Sequence, residues 1–557
     1  MTHNIFRTMA LLVISFDLVA TVKVVVVGAG TSGLAAARTL TDTWNTAANG
    51  GPLELTVLEA GTRIGGRTWT LNAAEAGSAW DTASALGAPT DMGASWIHGS
   101  TSTHPITMIA TALNEISGLV QTNDNLADLR LCTAGQASAC SAPSSDQYAA
   151  YESLLARAQE KETDMSLWQA LSGLSSNSGQ TRESDLFQYH LAVGAEFNTA
   201  GPADRLSAWY YNDDSQYSGT ELVWARGYKV MYEALQSGAV RVNDGSSTLQ
   251  VTAVASASQQ PISVTFSKRV TSITYSSTGV VLTTADSSTY NADYVIITIP
   301  LGVLKSTDAS SRVTFNPALP PATVNGISQL GFGNVVKVAL LFPTKWWPSG
   351  THYYGLAQAG TNRGLFTYFL NVHELSTKPV LMTFALGGAA DVAEQMSDAD
   401  VWTQIRANLV KIFSTTVSAQ IPTAAPQMIR STWRANPHAK GAYTYVAVGA
   451  STNPSLPPLA VPFSDLPLSC PESFYHGRYF EEHHHGRLWW QCRRETLLCR
   501  RAHVGGIQRD CPRRLPVWPG AHLPTPPLIS HASPPHIPPI HISRAPVRTC
   551  SGRGARR

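Results

Sequence analysis

Apolar residues in this chain gather into short, dense runs separated by glycine and by polar turns. The first, Lys23-Val24-Val25-Val26-Val27, is β-branched and unbroken, which predicts a parallel strand buried on both faces. It passes straight into Gly28-Ala29-Gly30-Thr31-Ser32-Gly33 and then Leu34-Ala35-Ala36-Ala37-Arg38-Thr39-Leu40, a good helix. A second run, Leu53 to Leu58, ends at Glu59. Strands are predicted again over Ile262 to Phe266 and Val270 to Tyr275, after which Gly279 turns the chain into Val280-Val281-Leu282-Thr283 as a hairpin. Ala292 onward reads as another buried strand. Gly331 to Phe342 reads as a strand whose apolar run contains one cation, Lys337. Residues 111 to 240 look mostly helical and then irregular, with Ser/Gly-rich breaks around Ser172 to Gly179.

Length adds that 557 residues exceed one compact core, so two intimately packed domains are expected. Charged residues make up only 14% of the chain and the formal net charge is +2, which argues against a nucleic-acid binder. No run of eighteen apolar residues occurs, so no transmembrane helix is expected. Arg7 followed by the apolar Met9 to Phe16, with Ala20 beyond, reads either as a signal peptide over residues 1–20 or as a lead-in to the first strand. Localisation is therefore secreted or cytoplasmic. Of seven cysteines, Cys132 and Cys140 share a Ser/Ala-rich loop and can pair in an exported chain, while the rest lie at or beyond Cys470.

The glycine spacing changes the picture from fold to ligand. Gly28 makes a tight turn, Gly30 lets backbone approach a pyrophosphate, and Gly33 lets helix and strand pack closely. Ser32 stands with them at the helix N-terminus, where N–H groups and the dipole favour an anion. Glu59 at the end of the second strand can grip ribose hydroxyls and disfavours a 2′-phosphate. Further on come Arg63-Ile64-Gly65-Gly66-Arg67 and Asp91-Met92-Gly93-Ala94-Ser95-Trp96-Ile97-His98-Gly99. With Glu59-Ala60-Gly61, these elements resemble the flavin-containing amine oxidases, and within them the polyamine oxidases (spermine/spermidine oxidase type).

The resemblance implies FAD as cofactor, with Arg67 on its phosphates, Gly93, Ala94, Ser95 and Trp96 along the isoalloxazine ring, and the backbone of Val270 at the adenine. It implies that Lys337 holds a water at flavin N5; read by itself, Lys337 could also sit on the exposed face of a half-buried strand. Ser431-Thr432-Trp433 and Gly441-Ala442-Tyr443 are similar to the late aromatic segment of the family, making Tyr443 a wall of an aromatic sandwich for the amine or else a core tyrosine. His98 matches a position facing the substrate amine, and Glu196 reads as a tunnel carboxylate for a distal ammonium or as a surface acid. The implied reaction is hydride transfer from the carbon beside a neutral amine to flavin N5, hydrolysis of the imine, and reduction of O₂ to H₂O₂. The expected partners are thus a small-molecule polyamine or other amine and O₂, with no nucleic acid and no stable membrane span. No arginine motif for an amino-acid carboxylate is found, and no room for the helical modules of a demethylase.

The expected fold is α/β: a Rossmann-like FAD-binding domain (21–110, 241–310, 431–490) interleaved with an α+β substrate-binding domain (111–240, 311–430) whose sheet carries Lys337 at its edge. The family pattern stops after Arg478-Tyr479-Phe480, before its closing FAD element. Residues 491–557 hold twelve arginines, no lysine and two acids, and read as a disordered, aberrant tail. Trp489-Trp490 is encoded TGGTGG, which one base along reads as two glycine codons, so a shifted reading frame accounts for the loss. On that reading the alternative to an enzyme is an inactive product lacking the closing motif. His483-His484-His485 with Glu481, Cys492 and Cys499 fits no closed zinc pattern, and no metal is expected.

Overall fold

The computed structural model describes residues 21–71, 90–122, 128–133, 140–213, 217–244, 249–360 and 363–450. All of these belong to one compact unit, Met1–Leu498, while a second, Cys499–Arg557, lies wholly outside the described residues. The expected signal peptide, the arginine-rich tail and its histidine-cysteine cluster therefore also fall outside them.

The opening valines do form a strand, Val22–Val27, with parallel neighbours on both sides: Leu53–Leu58 and Tyr294–Ile297. Val264–Thr265 continues the sheet beyond Leu53–Leu58, again in parallel. Alternation along the first strand buries both faces. Val26 points with Leu34, Ala37, Val57 and Met231 into a core beneath the helix Thr31–Thr43. Val25 and Val27 point the other way, against Leu58, Ile273 and Leu282. Those last residues belong to a second sheet in which Val270–Ser276 and Gly279–Thr284 make the expected hairpin, flanked by Thr289–Ala292 and Thr314–Asn316.

Two expectations here are corrected. The strand read over Ile262 to Phe266 shrinks to Val264–Thr265. The run after Ala292 becomes Tyr294–Ile297, half-buried because it borders the sheet, and then turns at Pro300 into a short helix, Leu301–Leu304.

The third sheet is mixed and six-stranded, in the order Gln427–Arg430, Val336–Leu341, Val380–Ala385, Leu365–Asn371, Tyr353–Ala357, Leu129–Thr133. Val336, Val338 and Leu340 face one core and Ala339 and Leu341 the other, as period two demands. The first core is closed by the helix Asp398–Ile412, whose Val401, Trp402, Ile405, Leu409 and Ile412 recur at helical spacing. Ser397 caps it by accepting from the Asp400 N–H at 3.2 Å. Residues 111–240 do contain helices, Ser145–Gln159 and Asp185–Leu191 among them. They also contain strands that their composition hid: Leu119–Gln121, Leu129–Thr133 and Leu222–Trp224. Cys132 and Cys140 are disulfide-bonded.

One irregularity in the six-stranded sheet has a clear support. Pairing between Leu365–Asn371 and Val380–Ala385 slips between Leu365 and Tyr368, and Phe366 adopts φ +54°. The buried Asn408 side chain donates to the carbonyls of Leu365 (3.0 Å) and Phe366 (2.8 Å). Asn408→Ala leaves both carbonyls unpaired away from water and is expected to cost on the order of 2 kcal/mol, read as a lower urea midpoint. A midpoint unchanged from the parent would show that the bulge holds itself.

Candidate active site

Three glycines of the opening loop are glycine for different reasons. Gly28 has φ +108°, and a Cβ there would stand 2.5 Å from Thr298 Oγ1. A Cβ on Gly33 would fall 1.8 Å from the Gly28 carbonyl oxygen, inside any tolerable contact. Gly30 is unlike both. Its φ of −73° suits any residue, and a Cβ would find nothing nearer than Gly66 Cα at 3.8 Å. Among the described residues no atom forbids a side chain at position 30, where a Cβ would make only ordinary contact with Gly66 Cα and the Gly65 carbonyl oxygen, so the sterics that fix Gly28 and Gly33 leave Gly30 available for a close ligand approach. The helix that follows has no side-chain cap and no acid in its first turn, which leaves its N-terminal dipole uncompensated.

Glu59 is already engaged at this loop, accepting from the N–H of Ala29 at 2.8 Å and of Gly61 at 2.7 Å. It thus pins the turn while each oxygen keeps a lone pair. Gly65 docks on the same loop through its N–H to the Ala29 carbonyl at 2.9 Å, and Arg63 donates to the Gly66 carbonyl at 2.7 Å. The open approach at Gly30, the bare helix terminus and the acid at the second strand's end fit a dinucleotide pyrophosphate and ribose.

Lys337 is not on an exposed face. Its side chain is buried, on the same face of its strand as Ala339 and Leu341, with Phe384 directly across the pairing. Nor does it lie on an edge strand: Gln427–Arg430 covers that side from Val338 onward, and Ser431 takes over at Lys337 itself. The Lys337 N–H donates to Ser431 Oγ at 2.9 Å and its carbonyl accepts from the Ser431 N–H at 2.9 Å. Nζ donates to the Asp91 carbonyl at 3.1 Å and to Ser95 Oγ, and stands 5.2 Å from the Trp96 ring centre. Burial holds the Lys337 ammonium well below the usual lysine range, opposed by the charge of Asp91.

Asp91 went unassigned in the sequence, although it opens the Gly-Ala-Ser-Trp motif. Its carboxyl is fully buried, bonded to the Thr70 hydroxyl and to the Tyr228 N–H at 3.1 and 3.3 Å. Burial raises its pKa, while the Thr70 hydroxyl and Lys337 pull the other way. No composition signal marks it; only the fold shows that its carbonyl holds the lysine.

The motif residues serve this arrangement in distinct ways. A Cβ on Gly93 would lie 1.8 Å from the Arg67 carbonyl oxygen, so this glycine answers to backbone approach within the protein. The Ala94 N–H donates to that same carbonyl at 3.1 Å. Trp96 meets Phe197 and Phe384 at ring-centre distances of 6.3 Å each. Arg67 stands 5.6 Å from the Phe332 ring and donates to the Ala442 carbonyl, beside Tyr443. Tyr443 is half-buried, its hydroxyl bonded to the Phe197 carbonyl, and burial pushes the phenol above its ordinary range. Val270 is buried at the start of its strand.

Glu196 and His98 lie in contrasting surroundings. Glu196 is 1% exposed, so it is no surface acid. It forms a two-pronged ion pair with Arg363 at 2.6 and 3.0 Å and accepts from the Ala203 N–H at 2.9 Å. Its charge is therefore balanced within the protein. His98 is exposed, bonded through Nδ1 to Glu221 at 2.6 Å, one pleat repeat along from Trp96. Among the described residues, no group of three or more His, Cys, Asp or Glu could hold a metal ion.

A family model for flavin-containing amine oxidoreductases matches residues 31–470. The chain belongs to that family. Its curated relatives include polyamine oxidase 4 of Oryza sativa subsp. japonica, 28% identical over 77% of this chain and 79% of the relative. Polyamine oxidase 2 of Arabidopsis thaliana is 28% identical over 77% of this chain and 78% of its own. Human lysine-specific histone demethylase 2 is 25% identical, matching 77% of this chain but 48% of the demethylase. Among solved structures, a cofactor-binding redesign of putrescine oxidase superposes with a TM-score of 0.51 at 17% identity, covering 77% of this chain and 90% of that one, a likeness of fold. The cofactor of this amine oxidoreductase is FAD.

Two outcomes follow. Gly33→Ala should cost about 3 kcal/mol in unfolding by urea, whereas Gly30→Ala should stay within about 0.5 kcal/mol of the parent and instead lower the flavin retained on purification. Equal losses of stability in the two variants would remove the reason for calling Gly30 a ligand cradle. The second concerns Lys337. Its ammonium pKa is lowered in the folded state, so between that value and the ordinary lysine range the unfolded chain binds more protons. Stability from this site must rise with pH through that window. The difference in unfolding free energy between parent and Lys337→Met should accordingly shift in the parent's favour from pH 7 to pH 10, and a pH-independent difference would mean Lys337 is not desolvated.

Proposed function

We propose that the chain oxidises a polyamine or related amine at the carbon next to nitrogen, releasing the amine fragment and an aldehyde after hydrolysis of the imine. The observation that carries this reading is Lys337: a buried amine held by Asp91 and Ser95 against the face of Trp96. When bound, FAD supplies the acceptor for the hydride and passes the electrons on to O₂ as H₂O₂. Gly28, Gly30, Ser32, Gly33, Glu59, Arg67 and Val270 would hold it, with Gly93, Ala94, Ser95 and Trp96 along its ring.

The chain's own residues do the rest. Trp96, Phe197 and Tyr443, packed on the buried Phe384, gather electron-rich faces that attract an amine arriving as a cation and exclude water from it. No protein base is required if the amine reacts deprotonated. Lys337, its pKa lowered by burial, can hold a water at Nζ and exchange a proton with it near neutral pH. With Glu196 neutralised by Arg363, substrate capture here leans on aromatic faces and on the His98–Glu221 pair beyond Trp96.

The flavin-loaded chain mixed with spermine or spermidine without oxygen should lose its visible flavin band, and Lys337→Met should slow the cycle by roughly a hundredfold or more while keeping the flavin. A band that survives spermine, spermidine, putrescine and simple monoamines would sink the proposal, and bleaching by a methyl-lysine peptide alone would redirect it to the demethylase branch.

A further inference from the structure

Two polar atoms near Glu59 are sealed from solvent and have no hydrogen-bond partner among the described residues: Nη1 of Arg269 and Nδ1 of His438. They come from segments far apart in sequence, and the fold brings both to the end of the second strand. The segment before Arg269 is fixed there by the Lys268 N–H donating to the Glu59 carbonyl at 2.8 Å, and Glu59 in turn donates to the Thr265 carbonyl at 2.9 Å. Arg269 itself is tied by its carbonyl to the Ala285 N–H at 2.8 Å. His438 is set by its N–H on Asn436 Oδ1 at 2.8 Å. The His438 ring lies within reach of the charges of both Glu59 and Arg269.

A buried guanidinium nitrogen without a partner is costly, because it has given up water for nothing. Among the described residues, it is the one arginine nitrogen in that condition. Glu59 is not its partner here: its carboxylate oxygens accept from the Ala29 and Gly61 N–H groups instead. An incoming ligand with an anionic, hydrogen-bond-accepting end at this place would satisfy the guanidinium and present polar groups to the imidazole. Glu59 links this place to the glycine loop, its carboxylate accepting from the Ala29 N–H while its carbonyl accepts from the Lys268 N–H.

We propose that Arg269 and His438 hold the adenosine diphosphate half of FAD, Arg269 as the cation for its phosphates and His438 as a hydrogen-bond partner beside them. The assignment rests on the cofactor reading above and extends it to two residues outside the glycine loop and the Gly-Gly-Arg triplet. It makes this pair a grip on the end of the cofactor remote from the reacting ring, so substitutions here change how firmly FAD is held.

The full-length chain and its Arg269→Gln, Arg269→Lys and His438→Gln variants would be titrated with FAD by flavin fluorescence and with ADP by calorimetry. Melting temperatures would be recorded with and without FAD. Arg269→Gln should weaken FAD and ADP in parallel, on the order of ten- to a hundredfold, with Arg269→Lys losing less. Without ligand its melting temperature should equal or exceed the parent's, because the substitution removes an unsatisfied buried charge; only the gain on adding FAD should shrink. Variants that bind FAD and ADP as the parent does would overturn the assignment. So would a melting temperature that falls equally with and without FAD, the mark of a merely structural role. A parent chain that takes up neither FAD nor ADP would overturn the cofactor reading itself and this assignment with it.

Discussion

The cost of keeping an amine away from water governs the arrangement around Lys337. An ammonium buried among aromatic rings stands there only if neighbouring dipoles and a negative charge compensate it. Asp91 supplies both, its carbonyl as hydrogen-bond acceptor and its carboxylate as countercharge. That carboxylate is itself buried, so Thr70 and the Tyr228 N–H must hold it in turn. Thr70 and Tyr228 belong to segments that flank the glycine-rich unit, and Tyr228 also ties its hydroxyl to the Trp96 carbonyl at 2.6 Å. The lysine on the six-stranded sheet thereby fixes elements of the nucleotide-binding side. Breaking the pair by removing one partner leaves the other as an uncompensated charge, which is why neither residue can be exchanged alone without consequence.

Much of this could be read from sequence because some constraints are local. A β-branched run flowing into glycines at fixed spacing reports a buried strand and a tight turn, and both stand where expected. The lone lysine in an apolar strand announced itself by its cost. What escaped notice depends on partners distant in the chain. Asp91 looks like any acid until the fold puts it under Lys337, and Phe384 is named only by the cross-strand register. Glu196 could equally be read as a surface acid for the same reason: its partner, Arg363, lies 167 residues away. Edge position likewise cannot be seen in a run such as Tyr294–Ile297, whose apolar pattern is that of a central strand.

Small residues in the two motifs carry unlike duties despite their shared chemistry. Gly33 and Gly93 exist because backbone would otherwise collide with backbone. At Gly30 a side chain would make only ordinary contacts, with Gly66 Cα and the Gly65 carbonyl oxygen. The distinction separates glycines that the fold's own packing requires from one that it does not, at single-atom scale within a few residues.

The parallel sheet also bears on how the chain is born. Val22–Val27 leaves the ribosome some 270 residues (297 minus 27) before its neighbour Tyr294–Ile297. At ordinary elongation speeds the gap lasts roughly fifteen to sixty seconds. Throughout it, a strand of four successive valines is synthesised with one hydrogen-bonding edge open and one apolar face without its covering hairpin. Such a strand is a docking site for holdase chaperones and a seed for mispairing between nascent chains on one message. The segment from Val22 to Leu58 is thus the part of this fold that waits longest, in sequence terms, for the strand that completes its sheet.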